Sequence, residues 1–411
     1  MSSRARPRCR GRLASWLIPL LLAVGSPADA GFTVTDLGVV VPGQSSGATG
    51  INSAGATSGT AANFRSTAAV QAVGGGTFRN ISMGSLPGAT SSSGAAINDA
   101  GQVAGSFASA IDGRTHAFIA VNGSAIDLGT FGDGRFKGAD SRGVAINATG
   151  TVLAAATLAD RSQVVFRTTA AGGVSEIALP GRSMQGTAGG INADGVVVGS
   201  FLNGFGASRV FVAAGATATE VATVGAPGFG LNSYGTAIND KGAIAGYGDF
   251  GAGSHAFYMP SPGRFVDIGV TGSFTSSMAL GMNNQGRVVG TMNSSGMGAH
   301  AFLWDEVGGM VDLNSLLSGA DRGSWVLTTA TGINGSNQVA GQGYFNGQLH
   351  GFVLTPDGGS GPSVPAATVP APPSAWLAGA GLILVGGWAR FRRGRTRRPD
   401  TAGPAGASPA C

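Results

Sequence analysis

Cysteine is almost missing from this 411-residue chain: Cys9 lies near the start and Cys411 is the last residue. Nothing between them can form a disulfide or a thiolate metal site, so whatever folds there is held by packing alone. Charge is scarce too, with Asp, Glu, Lys and Arg making 11% of the residues, and aromatics make 7%. There is no Asp-x-Asp-x-Asp-Gly calcium loop, phosphate-binding glycine loop, Gly-x-Ser-x-Gly elbow or His-Glu-x-x-His helix. Those absences remove the most legible enzyme signatures. What abounds is glycine, 73 residues, with 18 prolines. Such a load reads as disorder unless the glycines fall at regular intervals.

The formal charge of +5 suggests an anionic partner until it is mapped. Arg4, Arg6, Arg8, Arg10 and Arg12 crowd the start, and Arg390, Arg392, Arg393, Arg395, Arg397 and Arg398 crowd the end. Without these eleven, and with Asp29 and Asp400 set aside, 14 basic and 18 acidic residues remain, a net of −4. The middle of the chain therefore has no basic footprint for nucleic acid, and no nucleic-acid partner is expected.

Residues 1–30 read as a secretory signal peptide for the Sec route. The arginines form its basic start, Leu13–Val24 its apolar segment, and Ala28-Asp29-Ala30 a small-x-small site cut before Gly31 by signal peptidase. At the other end, 357–373 is expected to be a Gly/Pro/Ser-rich linker carrying a sorting motif, 374–398 a transmembrane segment with its arginine cluster, and 399–411 a disordered tail. An apolar segment followed by arginines halts translocation with the charges on the cytoplasmic side.

Val369-Pro370-Ala371-Pro372, then Trp376 and the glycine-rich apolar run, then Arg390, Arg392 and Arg393, resemble the PEP-CTERM sorting signal processed by exosortases. Ala371 stands where that motif usually has Glu, and thirteen residues trail the arginines. The resemblance implies transient inner-membrane anchoring, cleavage by an exosortase-type enzyme, and delivery to the cell surface or extracellular matrix of a Gram-negative bacterium. Extracellular polysaccharide or surface proteins are the partners it implies there.

Between the ends one pattern recurs seven times: Ile-Asn (Met-Asn in the sixth copy), then Gly three residues on and Gly again four later. The asparagines are Asn52, Asn98, Asn147, Asn192, Asn239, Asn283 and Asn334, spaced by 46, 49, 45, 47, 44 and 51 residues. Asn with Gly at i+3 is a type I turn signature in which the left-handed Gly returns the chain as a hairpin; only Asn337 replaces that Gly. The second Gly also has one exception, Ala154. The residues two and four before each Asn are all Gly or Ala, which predicts a strand with one bare face, suited to crowding around an axis.

A third strand carries His116-Ala117-Phe118, His255-Ala256-Phe257, His300-Ala301-Phe302 and His350-Gly351-Phe352, aligned with Ala72-Val73, Val165-Phe166 and Val210-Phe211 in the other copies. A fourth ends in Asp127-Leu128-Gly129, Asp267-Ile268-Gly269 or Asp312-Leu313-Asn314, with degenerate forms at Ser82-Met83-Gly84 and around Ile177 and Val221. These motifs resemble the HAF repeat of extracellular bacterial proteins, over residues 36–354.

Units of about 47 residues with four short strands predict an all-β fold, a seven-bladed β-propeller over 31–356. The seventh hairpin lacks its fourth strand, and an orphan copy, Phe32–Gly38 with Asp36, opens the mature chain, so the N-terminal strand is expected to close the ring. A β-solenoid is the alternative. The four histidines, at one repeat position, are expected to be structural rather than metal ligands, because the other copies offer Gln71, Val164 and Arg209 there. The most charged insertion, Gly132–Gly143, reads as a solvated loop. No catalytic residue, metal or cofactor is expected. The function expected is a non-catalytic binding or scaffolding platform; the alternative is an extracellular propeller enzyme acting on polysaccharide, which needs acids converging at one mouth of the ring.

Overall fold

The computed structural model describes residues 31–357, apart from 63–65, 87, 130–137, 222–228 and 251–252. It is an all-β, seven-bladed propeller: seven separate four-stranded antiparallel sheets arranged as a ring. In each blade the inner strand runs into one of the seven asparagines. These strands are Ser46–Ile51, Ala89–Ile97, Asp140–Ile146, Gly186–Ile191, Phe229–Ile238, Ser276–Met282 and Trp325–Ile333. Each touches the inner strands of both neighbouring blades, the first and seventh included, so the ring is closed and the solenoid is excluded.

Blade 7 closes as the repeat count requires. Phe32–Asp36 pairs with Gln348–Pro356 in register from Phe32↔Pro356 to Asp36↔Phe352, supplying the missing outer strand. Phe32 is fully buried in a cluster with Leu303, Leu313, Leu327 and Phe352, which belong to blades 6 and 7. The cores lie between blades, as Leu37 and Val353 of blade 7 packing with Ala48 and Val70 of blade 1 illustrate.

The Asn turns have the geometry implied by their spacing. Gly55 donates its N–H to the Asn52 carbonyl at 3.0 Å, and the six glycines at this position have φ from +74° to +82°. Asn337 takes φ +61° in the seventh copy, the backbone region that Asn tolerates best after Gly.

The inner strand departs from the single bare face. Each carries a one-residue register shift, for example between Ala48 and Gly50 or Ala279 and Gly281. That bulge reverses the alternation of side-chain direction. A methyl built on Gly94 or Gly143, four before the Asn, meets backbone of the preceding blade, whereas one on Gly50, Gly190 or Gly281, two before it, meets the next blade. The small residues therefore serve two crowded interfaces, one on each side of the strand.

The second recurrent glycine answers to packing rather than to a turn. On Gly59, Gly105, Gly199, Gly246, Gly290 and Gly341 a Cβ atom would stand 1.9–2.3 Å from a carbonyl oxygen of its own inner strand and 2.6–2.8 Å from a Phe ring. The third-strand Phe reaches over its cross-strand glycine, as in Gly105↔Phe118 and Gly341↔Phe352, covering backbone the glycine leaves bare. Phe118, Phe166, Phe211, Phe257, Phe302 and Phe352 are all fully buried.

Register corrects the alignment of blade 1. Gly59 pairs with Val70, as Gly105 pairs with Phe118, so Val70 and not Val73 holds the Phe position, and Ala68 and not Gln71 holds the His position. Val70 pairs with Asn80, placing Asn80-Ile81-Ser82, rather than Ser82-Met83-Gly84, at the Asp-Leu-Gly position. Phe78 covers Gly59 in place of the missing third-strand ring. Distance from the Asn carries the signal: Val70 lies 18 residues on, within the 18–20 of the other copies, and Val73 lies 21 on.

Candidate functional site

The propeller has two faces. One carries the Asn turns and the turns between third and fourth strands; the other carries the remaining connections, near which each His begins its strand. Gly31 and Asp357 meet on the Asn face, where the Asp357 N–H donates to the Gly31 carbonyl at 2.9 Å. Ala28 and Ala30 of the signal site, and Val369, Pro370, Ala371, Pro372, Trp376, Arg390, Arg392 and Arg393 of the sorting motif, lie outside the described residues. So do the apolar segment and Asp133, Arg135 and Lys137 of the charged insertion. Among the described residues no helix is long and apolar enough to cross a membrane. Asp140 and Arg142, read as part of that insertion loop, belong to the inner strand of blade 3.

On the Asn face the seven asparagines form a closed hydrogen-bonded ring. Each Nδ2 donates to the main-chain carbonyl of the next asparagine: Asn52 to Asn98 at 3.0 Å, Asn98 to Asn147 at 3.0 Å, Asn147 to Asn192 at 3.3 Å. Asn192 reaches Asn239 at 3.2 Å, Asn239 reaches Asn283 at 3.2 Å, Asn283 reaches Asn334 at 3.1 Å, and Asn334 returns to Asn52 at 3.0 Å. The Oδ1 atoms accept within the turn, as Asn239 does from Ala243 N–H at 2.9 Å. Every member is buried, with 4–6% of its surface exposed. One side chain thus needs an acceptor for its own turn and a donor for its neighbour, which at this length only Asn provides.

Inside this ring a funnel of about 400 Å³ is lined by the asparagines, the Ile or Met before each, and the residue after each. Two of those following residues are acids, Asp99 and Asp240. Both are engaged between blades: Asp99 accepts from Ser53 N–H at 2.8 Å and Asp240 from Ala193 N–H at 2.9 Å. Asp240 also accepts from the Asn284 side chain at 2.7 Å.

Near the opposite face each histidine meets an aspartate of its own blade. The Nδ1 atoms lie 3.1 Å from Asp127 for His116, 3.1 Å from Asp267 for His255, 2.7 Å from Asp312 for His300 and 2.9 Å from Asp36 for His350. The last pair crosses the ring closure. The same aspartates accept the N–H two residues on, Gly129 donating to Asp127 at 2.7 Å. His116 is also approached by Asp112, 2.9 Å from Nε2, and this hydrogen bond, opposed by burial, holds the Asp112 carboxyl below the usual aspartate range. In blade 4 the positions hold Arg209 and Glu220, 3.7 Å apart, a longer cation with a longer acid. Blade 3 has Val164 with Glu176 and blade 1 has Ala68 with Asn80.

A serine links three of these four corners to the next blade, and in blade 6 Asn314 does so, exchanging bonds with the Leu327 backbone. Ser141 Oγ accepts from Ala117 N–H at 2.9 Å and donates to the Gly129 carbonyl at 3.0 Å. Ser46 accepts from Gly351 N–H at 2.9 Å, and Ser277 from Ala256 N–H at 2.8 Å. The serine position, six before each Asn, escaped the sequence reading, although Ser46, Ser92, Ser141, Ser233 and Ser277 repeat there. Among the described residues no group of three His, Cys, Asp or Glu side chains is placed to hold a metal ion.

No family model matches the chain, and no curated protein matches it. Solved propellers are similar in fold. The β-propeller domain of the Trilobed protease from Pyrococcus furiosus is 13% identical, with a TM-score of 0.46 over 76% of this chain and 96% of that one. Virginiamycin B lyase from Staphylococcus aureus is 12% identical, with a TM-score of 0.44 over 78% of this chain and 99% of that one. TolB from Acinetobacter baumannii is 10% identical, with a TM-score of 0.40 over 63% of this chain and 64% of that one, under two thirds of its length. Likeness this distant is one of architecture, shared by enzymes and non-enzymes.

Proposed function

We propose that this chain is an exported, exosortase-sorted protein of the cell surface or exopolysaccharide matrix, its HAF-repeat propeller a rigid, non-catalytic platform for binding or scaffolding. The observation that carries the platform reading is where the recurrent polar side chains spend their hydrogen bonds. All seven asparagines are consumed in the inter-blade ring, and all four histidines are paired with aspartates. Groups so satisfied stiffen a ring, whereas a general acid or base needs a face open to substrate. The two acids of the funnel are tied to neighbouring backbone and do not converge with a third carboxylate among its lining residues.

The export reading rests on the signal at 1–30 and on the resemblance of Val369–Pro372, Trp376 and the arginines to the sorting tail. The fold is compatible with processing at both ends, since Gly31 begins beside the strand that closes the ring and the last strand ends at Pro356, ahead of the motif. The test is fractionation of the cells that make the protein, with mass spectrometry of both termini. The expected mature form begins at Gly31 and lacks the segment beyond Pro373. Surface-located protein that still carries residues 374–411 overturns the sorting claim.

A further inference from the structure

The arginines of the ring divide into two kinds. Arg167 donates to the Ala213 and Gly215 carbonyls, Arg209 pairs with Glu220, Arg264 with Glu306, Arg287 with Asp305, and Arg322 donates to Leu317 and Ser315. Arg79, Arg142, Arg161 and Arg182 are exposed and Arg114 is half-buried, and among the described residues their side chains enter no hydrogen bond or ion pair. Three of the five, Arg142, Arg161 and Arg182, gather on the face opposite the Asn ring, at blades 3 and 4. Gln185 ties them: its Nε2 donates to the Arg161 carbonyl at 3.2 Å, three residues from Arg182. Gln163, whose N–H donates to the Met184 carbonyl at 2.8 Å, lines a 420 Å³ pocket with Arg142, Asp140, Thr157 and Thr187.

Two further observations mark this patch. Among the described residues five non-glycine residues have positive φ; three are asparagines, and the other two are Arg161 at +67° and Arg182 at +58°. A long side chain in that region costs about 1–2 kcal/mol that Asn largely avoids, and such conformations concentrate at functional sites. Beside them stands Phe205, with 97% of its surface exposed. Its turn is braced: Asn203 Oδ1 accepts from both Phe205 and Ala207 N–H at 3.0 Å, and the turn joins the arginine loops through Ser183 Oγ, which donates to the Leu202 carbonyl at 2.7 Å. Leu202 and Met184 next to it are also exposed.

We propose that this face of blades 3 and 4 binds an anionic polysaccharide, its carboxylates held by Arg142, Arg161 and Arg182 and a sugar ring laid on Phe205. The inference rests on the reading of the propeller as a binding platform and names its ligand class. Guanidinium groups match carboxylates in geometry and charge. The phenyl ring, carried on its braced turn, offers a flat apolar face, and Thr157, Gln163 and Thr187 offer hydroxyl and amide partners to sugar hydroxyls. Asp140 and Asp160 lie close and keep their charge beside the three guanidinium groups; Asp140 accepts from Thr115 N–H at 2.8 Å, and Asp160 accepts from Ser162 N–H at 2.9 Å.

Titration calorimetry of the full chain tests this, with polygalacturonate oligomers as probe, neutral gluco-oligomers of equal length as control, and polyglutamate as the competing anion. Polygalacturonate is expected to bind, more weakly as salt rises, with the other two much weaker. Phe205→Ala, Arg161→Asn and Arg182→Asn are each expected to weaken it by about tenfold, one lost charge-assisted or stacking contact. Neither Asn variant should lower the melting temperature, because Asn suits the left-handed backbone; that separates lost binding from lost folding. No binding of polygalacturonate, binding untouched by these variants, or equal binding of polyglutamate overturns the proposal. The terminal masses of the exported protein are independent of each of these results, so failure here leaves the sorting test standing.

Discussion

The two faces of the ring treat their repeated residues differently. On one, asparagine is kept in all seven blades; on the other, the His–Asp pair appears in blades 2, 5, 6 and 7 and is replaced in 1, 3 and 4. Direction of contact explains the difference. A ring asparagine donates into the next blade and answers to its own turn at once, so a substitution loses bonds to two blades and leaves the N–H groups of its own turn unpaired. A histidine meets an aspartate of its own sheet, and a compensating change in the same blade restores the pair, as Arg209 with Glu220 does. Contacts that close a ring constrain every copy; contacts within a copy drift together.

Blade 7 is where this contrast breaks most readily, because its outer strand comes from the other end of the chain. Deletion of residues 31–38 leaves the asparagine ring whole but removes Phe32, five paired residues and the Asp36 partner of His350. The loss of one fully buried Phe costs about 3–5 kcal/mol, a large share of the 5–15 kcal/mol that holds a typical domain. We expect the deletion to abolish the cooperative thermal transition followed by circular dichroism. Retention of a sharp transition near the original temperature would show the Asn ring sufficient for closure.

Asn239→Ala is expected to cost about 2 kcal/mol in urea unfolding, since it leaves two N–H groups of its own turn unpaired and removes one of the two bonds to the Asn283 carbonyl of the next blade, which keeps only the Gly286 N–H. Asn239→Asp separates the two roles: the turn keeps its acceptor while the ring loses its donor. Burial disfavours the new carboxylate, so its penalty should shrink as pH falls and the acid regains a proton to donate. A pH-independent penalty would place the cost in the turn. His255→Ala, which breaks a pair whose side chains are 22% and 42% exposed, should cost no more than about 1 kcal/mol. Arg209→His with Glu220→Asp should be nearly neutral together and each unfavourable alone, a coupling that a double-mutant cycle reads directly.

Much of the architecture was legible because the repeat speaks in residues with special backbones. The Asn-x-x-Gly spacing encodes seven hairpins, and the unmatched Phe32–Asp36 strand encodes closure. The ring bonds were harder to see, because Asn at a turn already has a sufficient local reason. A signal was present all the same: the Gly three residues on lapses once, to Asn337, and the Gly seven residues on lapses once, to Ala154, yet the Asn never does, although Asp or Ser also opens a type I turn. The bulge before each Asn was invisible to a period-2 reading, since small residues on either side look alike. The patch of Arg142, Arg161, Arg182 and Phe205 could not be found by repeat logic, because it consists of departures from the repeat.

The smallest expected effect concerns the one histidine bracketed by two acids, His116 between Asp127 and Asp112. Both bonds require both ring nitrogens protonated, since a neutral imidazole donates only once. The bond from His116 lowers the Asp112 carboxyl, so its stabilisation is present above the ordinary aspartate range and is lost as pH falls through the lowered folded value. Asp112 is 38% exposed in its side chain, so solvent screening keeps the contribution to a few tenths of a kcal/mol. Asp112→Asn should therefore be slightly less stable than the parent in urea near pH 5, and the difference should close only as pH falls below the ordinary aspartate range through the lowered folded value. The same comparison with Asp267→Asn in blade 5 should be of similar size at pH 5, because each aspartate meets a histidine and accepts one N–H two residues on, Arg114 donating to Asp112 at 3.1 Å and Gly269 to Asp267 at 2.8 Å, and an Asn keeps an oxygen for that N–H. A much larger effect at Asp267 would mean that its backbone bond, and not the charge it shares with the histidine, sets the cost.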